Sequence, residues 1–366
     1  MTDVDGEKPG TLMAGEIADQ PRVLAAMLAR AGEFREIADI ISRRRPRFVL
    51  ITARGTSDHA ALYGKYLAEI ELGLPAGLVS PSSMTLYGAR PDLAAVLFVA
   101  VSQSGASPDL AESLAVAREC GATTVSVTNV EGSELDRAAE FPVRLGAGAE
   151  RSVAATKTYT AQLLALYLLL AGAGDADPAS AAAALPDAAA ATLANAERVY
   201  AAAARYRFAT RLVTTGRGYS YPTAREGALK LMETCYLSAH AFSCADLLHG
   251  PFAMLDQGVP VIAVASPGRG GDAAAPVIQR LRGTGADVLE VGVGVGDKGL
   301  AVESAGLAER LLPILEIMPL QQLAWRLAMD RGGDPDRPRG LSKVTMTRCP
   351  LTRAAARTSR SRSPGS

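Results

Sequence analysis

Cysteine and histidine are scarce in this chain, four and three among 366 residues, and tryptophan occurs once. Cys120, Cys235, Cys244 and Cys349 form no C-x-x-C pair, and His59, His240 and His249 are scattered. A structural zinc site therefore has almost no ligands to draw on, and neither a metal nor an organic cofactor is expected. A surplus of either charge is missing too. The 38 basic and 38 acidic residues cancel, so no global field favours nucleic acid or an anionic membrane, and neither is expected as a partner. The longest apolar run, Ala161 to Gly174, is broken by Gln162 and is shorter than the 18 or so residues a membrane span needs. The first residues, Met-Thr-Asp-Val-Asp-Gly-Glu, lack the basic-then-apolar pattern of a secretory leader. The expectation is a cytoplasmic protein with reduced thiols.

What is present is apolar. Hydrophobic residues make up 48% and charged residues 21%, enough to fill a globular core and too much for general disorder. The length suits two α/β domains of ordinary size. From about Ala14 to Ile41 apolar residues recur at helical spacing, which predicts an N-terminal helical arm over residues 1–46. The cluster Arg43-Arg44-Arg45-Pro46-Arg47 reads as the solvated end of that arm.

Short β-branched runs then alternate with helical stretches: Phe48–Thr52, Ala95–Ser102, Thr123–Thr128 and Phe141–Leu145, separated by helix candidates Ser57–Leu72 and Ser107–Cys120. Ala154–Ala171 reads as a further helix. Such alternation predicts a parallel sheet covered on both faces, here a first lobe over 47–172. Residues 173–208, rich in Ala, read as a helical connector. The pattern then restarts. Leu50–Ser57 aligns with Val213–Ser220 at a shift of 163, which also lays Val99–Val101 on Ile262–Val264 and Gly105 on Gly268. At 164, Gly121–Val125 falls on Gly285–Leu289. One nearly constant offset across three strands predicts a second copy of the lobe, over 209–332, followed by a tail at 333–348. Residues 349–366 hold four Arg, no acid and no apolar periodicity, and read as a disordered extension.

In an open parallel sheet, ligands bind beyond the carboxyl ends of the strands. The strand ending at Val101 runs into Ser102-Gln103-Ser104-Gly105-Ala106-Ser107, just before the helix opened by Pro108. Hydroxyl donors, a glycine and the N–H groups of a helix start are what a phosphate needs. Thr56 and Ser57 offer a similar loop after the first strand, with Ser57 read as a helix N-cap. The equivalent loop of the second lobe, Ala265-Ser266-Pro267-Gly268, is poorer in donors, so a single phosphate site in the first lobe is expected.

Together with these loops, Arg54-Gly55-Thr56-Ser57, Val153-Ala154-Ala155-Thr156-Lys157, Glu226-Gly227-Ala228-Leu229-Lys230-Leu231-Met232-Glu233, His249-Gly250-Pro251 and Arg339-Gly340-Leu341-Ser342-Lys343 resemble the SIS (sugar isomerase) family. The likeness is to the isomerase half of glucosamine-6-phosphate synthase and to stand-alone SIS deaminases, and it covers about residues 14–348. It implies two tandem SIS lobes, each a flavodoxin-like three-layer α/β sandwich, and a sugar phosphate as the small-molecule partner. By the same resemblance, Ser102, Gln103, Ser104 and Ser107 form the phosphate cradle. Thr56 and Ser57 contact the sugar phosphate, and Val153 and Ala155 line the sugar. Glu233 is implied as the base moving a proton between C1 and C2, with Lys230 on the same helical face. His249 is implied to assist ring opening from the neighbouring subunit of a homodimer, and Lys343 to reach the open-chain sugar. A Glu beside a cationic Lys can stay an ionised base, as this chemistry needs.

The chain departs from its relatives at His240, Asp246, Met232, Ala106 and Ser107. Residues 1–46 contain no cysteine nucleophile, so glutamine-dependent amination by this chain alone is not expected. The expected reaction is conversion of an amino-sugar phosphate, glucosamine 6-phosphate foremost, to a ketose phosphate and ammonium. The alternatives are a plain aldose–ketose isomerase, a deglycase of amino-acid–sugar phosphates, a synthase subunit needing a separate glutaminase, or a non-catalytic sugar-phosphate sensor. His59 and His240 are read as structural or surface residues.

Overall fold

The computed structural model describes residues 8–174 and 177–343. Three helices, Thr11–Ala18, Gln20–Ala29 and Ala31–Arg44, form the N-terminal arm, so the single periodic stretch in the sequence is broken twice. The basic cluster ends the third helix with exposed side chains, and Arg45 turns the chain with φ 47°.

The first sheet contains β1 (Phe48–Thr52), β2 (Ala76–Leu78), β3 (Val96–Ser102), β4 (Thr123–Thr128) and β5 (Phe141–Arg144). The second contains β6 (Arg211–Gly216), β7 (Ser238–Ser243), β8 (Pro260–Val264), β9 (Asp287–Gly292) and β10 (Leu300–Ala301). Their orders are β2-β1-β3-β4-β5 and, read from the other edge, β7-β6-β8-β9-β10, with all neighbours parallel. Each is the 2-1-3-4-5 order of flavodoxin-like sheets. The internal repeat is therefore topological as well as sequential, β1 matching β6 and β3 matching β8. The edge strand β2 was not anticipated; Ala-Gly-Leu is too short and too weakly patterned to stand out.

Alternation along β3 explains why its apolar run is continuous. Leu97, Val99 and Val101 join the large central core, while Phe98 and Ala100 join a separate cluster on the opposite face. Both faces are covered, so both sets are apolar. The central core continues without a break into the second lobe through Leu231 and the helix Leu312–Asp330. Its axis is the helix Lys157–Gly172, in which every residue is buried. It contains most of the longest apolar run, Ala161 to Gly174; the helix expected over Ala154–Ala171 runs over Lys157–Gly172. A helix apolar all round belongs in the middle of a protein. Among the described residues no helix is long and apolar enough to cross a membrane.

The first and last described segments meet. Asp336 Oδ2 and Oδ1 accept from the N–H groups of Leu12 (3.0 Å) and Met13 (2.8 Å), capping the first helix from 324 and 323 residues away. The same residue's carbonyl accepts from Val153 N at 3.1 Å. Asp336→Ala should cost roughly 1–3 kcal/mol, the range set by an N-cap and by hydrogen bonds to a charged group. Urea denaturation at unchanged m checks this. A loss below about 0.5 kcal/mol would mean the latch is not stabilising.

Candidate active site

Both hydroxyl-rich loops of the first lobe open onto one cavity of about 350 Å³. In the first loop, Ser102 Oγ accepts from Gly105 N (3.2 Å) and Ser104 Oγ from Ala106 N (3.3 Å), which curls the chain ahead of the helix Pro108–Glu119. Gly105 is required here, since φ is +61° and a Cβ would lie 2.1 Å from Ser133 Oγ. Beside this loop Arg54 pairs with Asp109 in the first helical turn, 2.8 Å and 3.1 Å to one carboxylate oxygen. The helix after β1 begins at Thr56, with Gly55 as its cap residue. Ser57 is consequently inside the helix and is not the N-cap expected; its Oγ accepts from Gln162 Nε2 at 2.9 Å.

The second wall is a loop held by two carboxylates. Glu150, fully buried, accepts from Thr156 N (2.9 Å), Thr158 N (3.0 Å) and Thr158 Oγ1 (2.6 Å), closing the N-terminus of the central helix. Lys343 Nζ reaches Glu150 Oε2 at 3.0 Å and the Ser152 carbonyl at 2.6 Å. Burial pushes the Glu150 carboxyl up, but Lys343 and the Thr158 and Thr156 donors outweigh it and leave it below the usual range. Glu16, from the first helix, accepts from Arg151 N and from Ser152 N (3.3 Å). Burial, reinforced by the Glu150 charge, pushes Glu16 up to about 7.

The third wall comes from the second lobe. Glu233, on the helix Ser220–Cys235, lines the cavity, and its Oε2 lies 2.5 Å from Lys230 Nζ. Lys230 is wholly buried below it and also contacts Thr56 Oγ1 (3.1 Å) and Glu226 Oε1 (3.3 Å). Burial alone would lower the Lys230 pKa, yet the Glu233 and Glu226 carboxylates hold it well above the ordinary lysine value. The ammonium stays charged.

Thus Thr56, Ser57, Ser102, Gln103, Ser104, Ser107, Val153, Ala155, Glu233 and Lys343 all line one cavity, and Lys230 sits beneath its floor. His249 does not line it. It is exposed, in the turn after the short helix Cys244–Leu247, with its N–H donated to the Asp246 carbonyl at 3.0 Å. His240 is exposed on β7. His59, read as structural or surface, is buried with Nδ1 2.7 Å from Glu226 Oε2, a pairing that no local spacing announces. Glu150 and Glu16 were also missed; the one available signal for Glu150 was a carboxylate shortly ahead of a helix start.

At the matching loop of the second lobe, Ala265, Ser266 and Pro267 line a smaller cavity of about 190 Å³. There Glu309 lays its own carboxylate on the N–H groups of Arg269 (2.9 Å) and Gly270 (2.8 Å), at the start of the helix Arg269–Gly283.

Two parallel five-stranded sheets of this order, with a strand-end cavity walled by both lobes, define a duplicated flavodoxin-like α/β architecture. The chain belongs to the SIS domain family, whose model matches residues 43–172 and 205–292. It is 34% identical over 339 residues to the glutamine–fructose-6-phosphate aminotransferase [isomerizing] of Methanothermobacter thermautotrophicus, covering 90% of this chain and 56% of that relative. The chain thus spans little more than half the length of that protein. Among solved structures, a candidate phosphosugar isomerase of Silicibacter pomeroyi DSS-3 superposes with a TM-score of 0.82 at 34% identity, covering 89% of this chain and 100% of that one. The C-terminal domain of glucosamine-fructose-6-phosphate aminotransferase from Francisella tularensis gives 0.80 at 26%, covering 92% and 100%.

Glu16 makes stability pH-dependent in a stated direction. Its folded value of about 7 exceeds the ordinary 4.5, so its favourable contribution is complete below pH 4.5 and is lost as pH rises through 7. Relative to Glu16→Gln, the wild type should lose stability between pH 5 and pH 8 in urea titrations. A gap between the two proteins that stays constant or reverses would contradict this assignment.

Proposed function

We propose that the chain is an amino-sugar-phosphate isomerase that releases ammonium, with glucosamine 6-phosphate plus water giving fructose 6-phosphate plus ammonium. The observation that supports this most is the placement of Glu233 on the same cavity as the Ser102–Ser107 loop and Lys343. Phosphate held by Ser102, Ser104, Ser107 and Thr56 would fix the far end of the sugar and position its reacting carbons. Glu233 would take the C2 proton of the open-chain amino aldose and return it at C1. The resulting C2 imine would add water and expel ammonia. Lys230 would hold the Glu233 carboxylate in place, its Nζ 2.5 Å from Oε2. Lys343 would meet the open-chain sugar from the opposite wall.

Ring opening needs an acid–base group, and His249 is exposed outside the cavity of its own chain. We therefore assign that step to His249 of the partner subunit in a homodimer. A second reading, the isomerase part of a glutamine-dependent synthase, is favoured by the names of the curated relatives.

Glu233→Gln should lower kcat by about 100-fold or more, the usual span for a lost general base, while sugar-phosphate binding stays within a few-fold. Ser102→Ala and Ser104→Ala should instead raise KM about 10- to 150-fold, since each removes a hydrogen bond to a charged group. The assay is ammonium release from glucosamine 6-phosphate, run beside fructose 6-phosphate with ammonium. Turnover in neither, with both sugars still bound, would leave the sensor class; net synthesis alone would favour the second reading.

Assembly has its own test. Inactive Glu233→Gln and His249→Asn proteins, mixed and reassociated, form mixed dimers in which one site keeps both residues. Roughly a quarter of wild-type activity should return by binomial mixing across symmetric interfaces. No recovery after verified subunit exchange would place both residues in one chain's site.

A further inference from the structure

Behind Glu233 lies a buried cluster that the reaction as described does not use in full. Glu226 and Lys230 are both wholly buried, and His59 is 8% exposed. Two carboxylates, Glu226 and Glu233, compete for one ammonium. Their spacing from Lys230 along the helix, i−4 and i+3, brings both within reach. The distances are unequal. Lys230 Nζ is 2.5 Å from Glu233 and 3.3 Å from Glu226. Glu226 is compensated from the other lobe: His59 Nδ1 lies 2.7 Å from its Oε2, and Thr56 Oγ1 donates to its Oε1 at 3.0 Å. An ionised carboxylate only accepts, so Nδ1 of His59 carries the proton in this pair.

We propose that His59 is a positioning residue for the proton transfer: by occupying Glu226 across the lobe boundary, it leaves Lys230 committed to Glu233. This rests on the reading of Glu233 as the base. Without the His59 donor, a fully buried Glu226 lacks one of its partners and draws on Lys230, the nearest remaining cation. Glu233 then shares its ammonium with a second carboxylate. A simple clamp between lobes would not produce that effect, because it would change stability without changing which carboxylate Lys230 serves.

The charged and titratable groups around the cluster are few. Asp58 lies beside His59 on its own helix, and Arg225 beside Glu226. Tyr159 of the central helix lies in the field of Glu226, Glu316 and Arg225. Glu316 accepts from Ser220 at 2.9 Å. Across the cavity from the other lobe and the tail, Glu233 shares its walls with Arg54 and Lys343.

The test follows kcat for glucosamine 6-phosphate against pH, by ammonium release, in the full chain. His59→Leu should move the acidic limb of kcat to higher pH by about one unit, the low end of what a displaced opposite charge does to a carboxylate. KM should stay within about threefold, since the phosphate loop is untouched. His59→Leu combined with Glu226→Gln should return the limb to its wild-type position, because the competing carboxylate is gone. A wild-type limb in the first variant, or an equally displaced limb in the double variant, overturns the proposal. If His59→Leu does not fold, Glu226→Gln alone decides: a limb at or below the wild-type pH supports the proposal, and a rise overturns it. Glu233→Gln separates the two levels. Retained turnover there removes the base and this inference together, whereas an inactive Glu233→Gln with an unmoved His59→Leu limb removes the His59 role only.

Discussion

One buried ammonium organises the junction of the two lobes. Lys230 stands on a second-lobe helix, wholly out of water, and contacts Glu226, Glu233 and the Thr56 hydroxyl of the first lobe. Burying a charge is costly unless it is paired and hydrogen-bonded. The cost is offset only if both carboxylates and Thr56 keep their places, so the charge also fixes how the lobes meet at the cavity. Thr56 is thereby part of two arrangements, one lining the ligand space and one satisfying the buried cation. A change at Lys230 would disturb both lobes, and removing one partner of such a buried set typically costs about 3–5 kcal/mol.

The opposite wall is assembled from the first helix, the loop at 150–156 and the segment at 336–343. Asp336 caps the first helix, Glu16 from that helix holds the Arg151–Ser152 backbone, and Lys343 closes onto Glu150. Arm, loop and tail are therefore one unit although more than 300 residues separate its parts. The duplicated lobes have diverged at their strand ends. The first leaves its serine loop open to a cavity, while in the second Glu309 occupies the helix N–H groups at the corresponding turn. A carboxylate is a fitting occupant for a helix N-terminus, which favours negative charge.

Much of this was legible in the sequence. The strands β1 and β4 fall on the expected residues, because short β-branched runs following a proline or a glycine admit few other readings. The repeat offset of 163 predicts the correspondence of β1 with β6 and of β3 with β8 that the two sheets show. The loops around Ser102 and Thr56 announced themselves by hydroxyls at strand ends, and the resemblance supplied Glu233 and Lys343. Long-range electrostatics were not legible. Glu16 meets residue 151, His59 meets residue 226 and Glu150 meets residue 343 through the fold, and no periodicity records such meetings. Ser57 failed as a cap because Gly55, with φ 55°, ends the preceding loop two residues earlier than the hydroxyl pattern implied.

The central claim is that one cavity brings a first-lobe phosphate cradle to a second-lobe base. A crystal structure with a ring-free, reduced sugar 6-phosphate tests it most directly, since that ligand keeps the phosphate and chain length but does not turn over. The account predicts phosphate oxygens within hydrogen-bond distance of Ser102, Ser104 and Thr56, and a Glu233 carboxylate oxygen about 3–3.5 Å from C1 or C2, as a near-attack geometry requires. Phosphate bound away from the Ser102–Ser107 loop, or a sugar chain running away from Glu233, would contradict it.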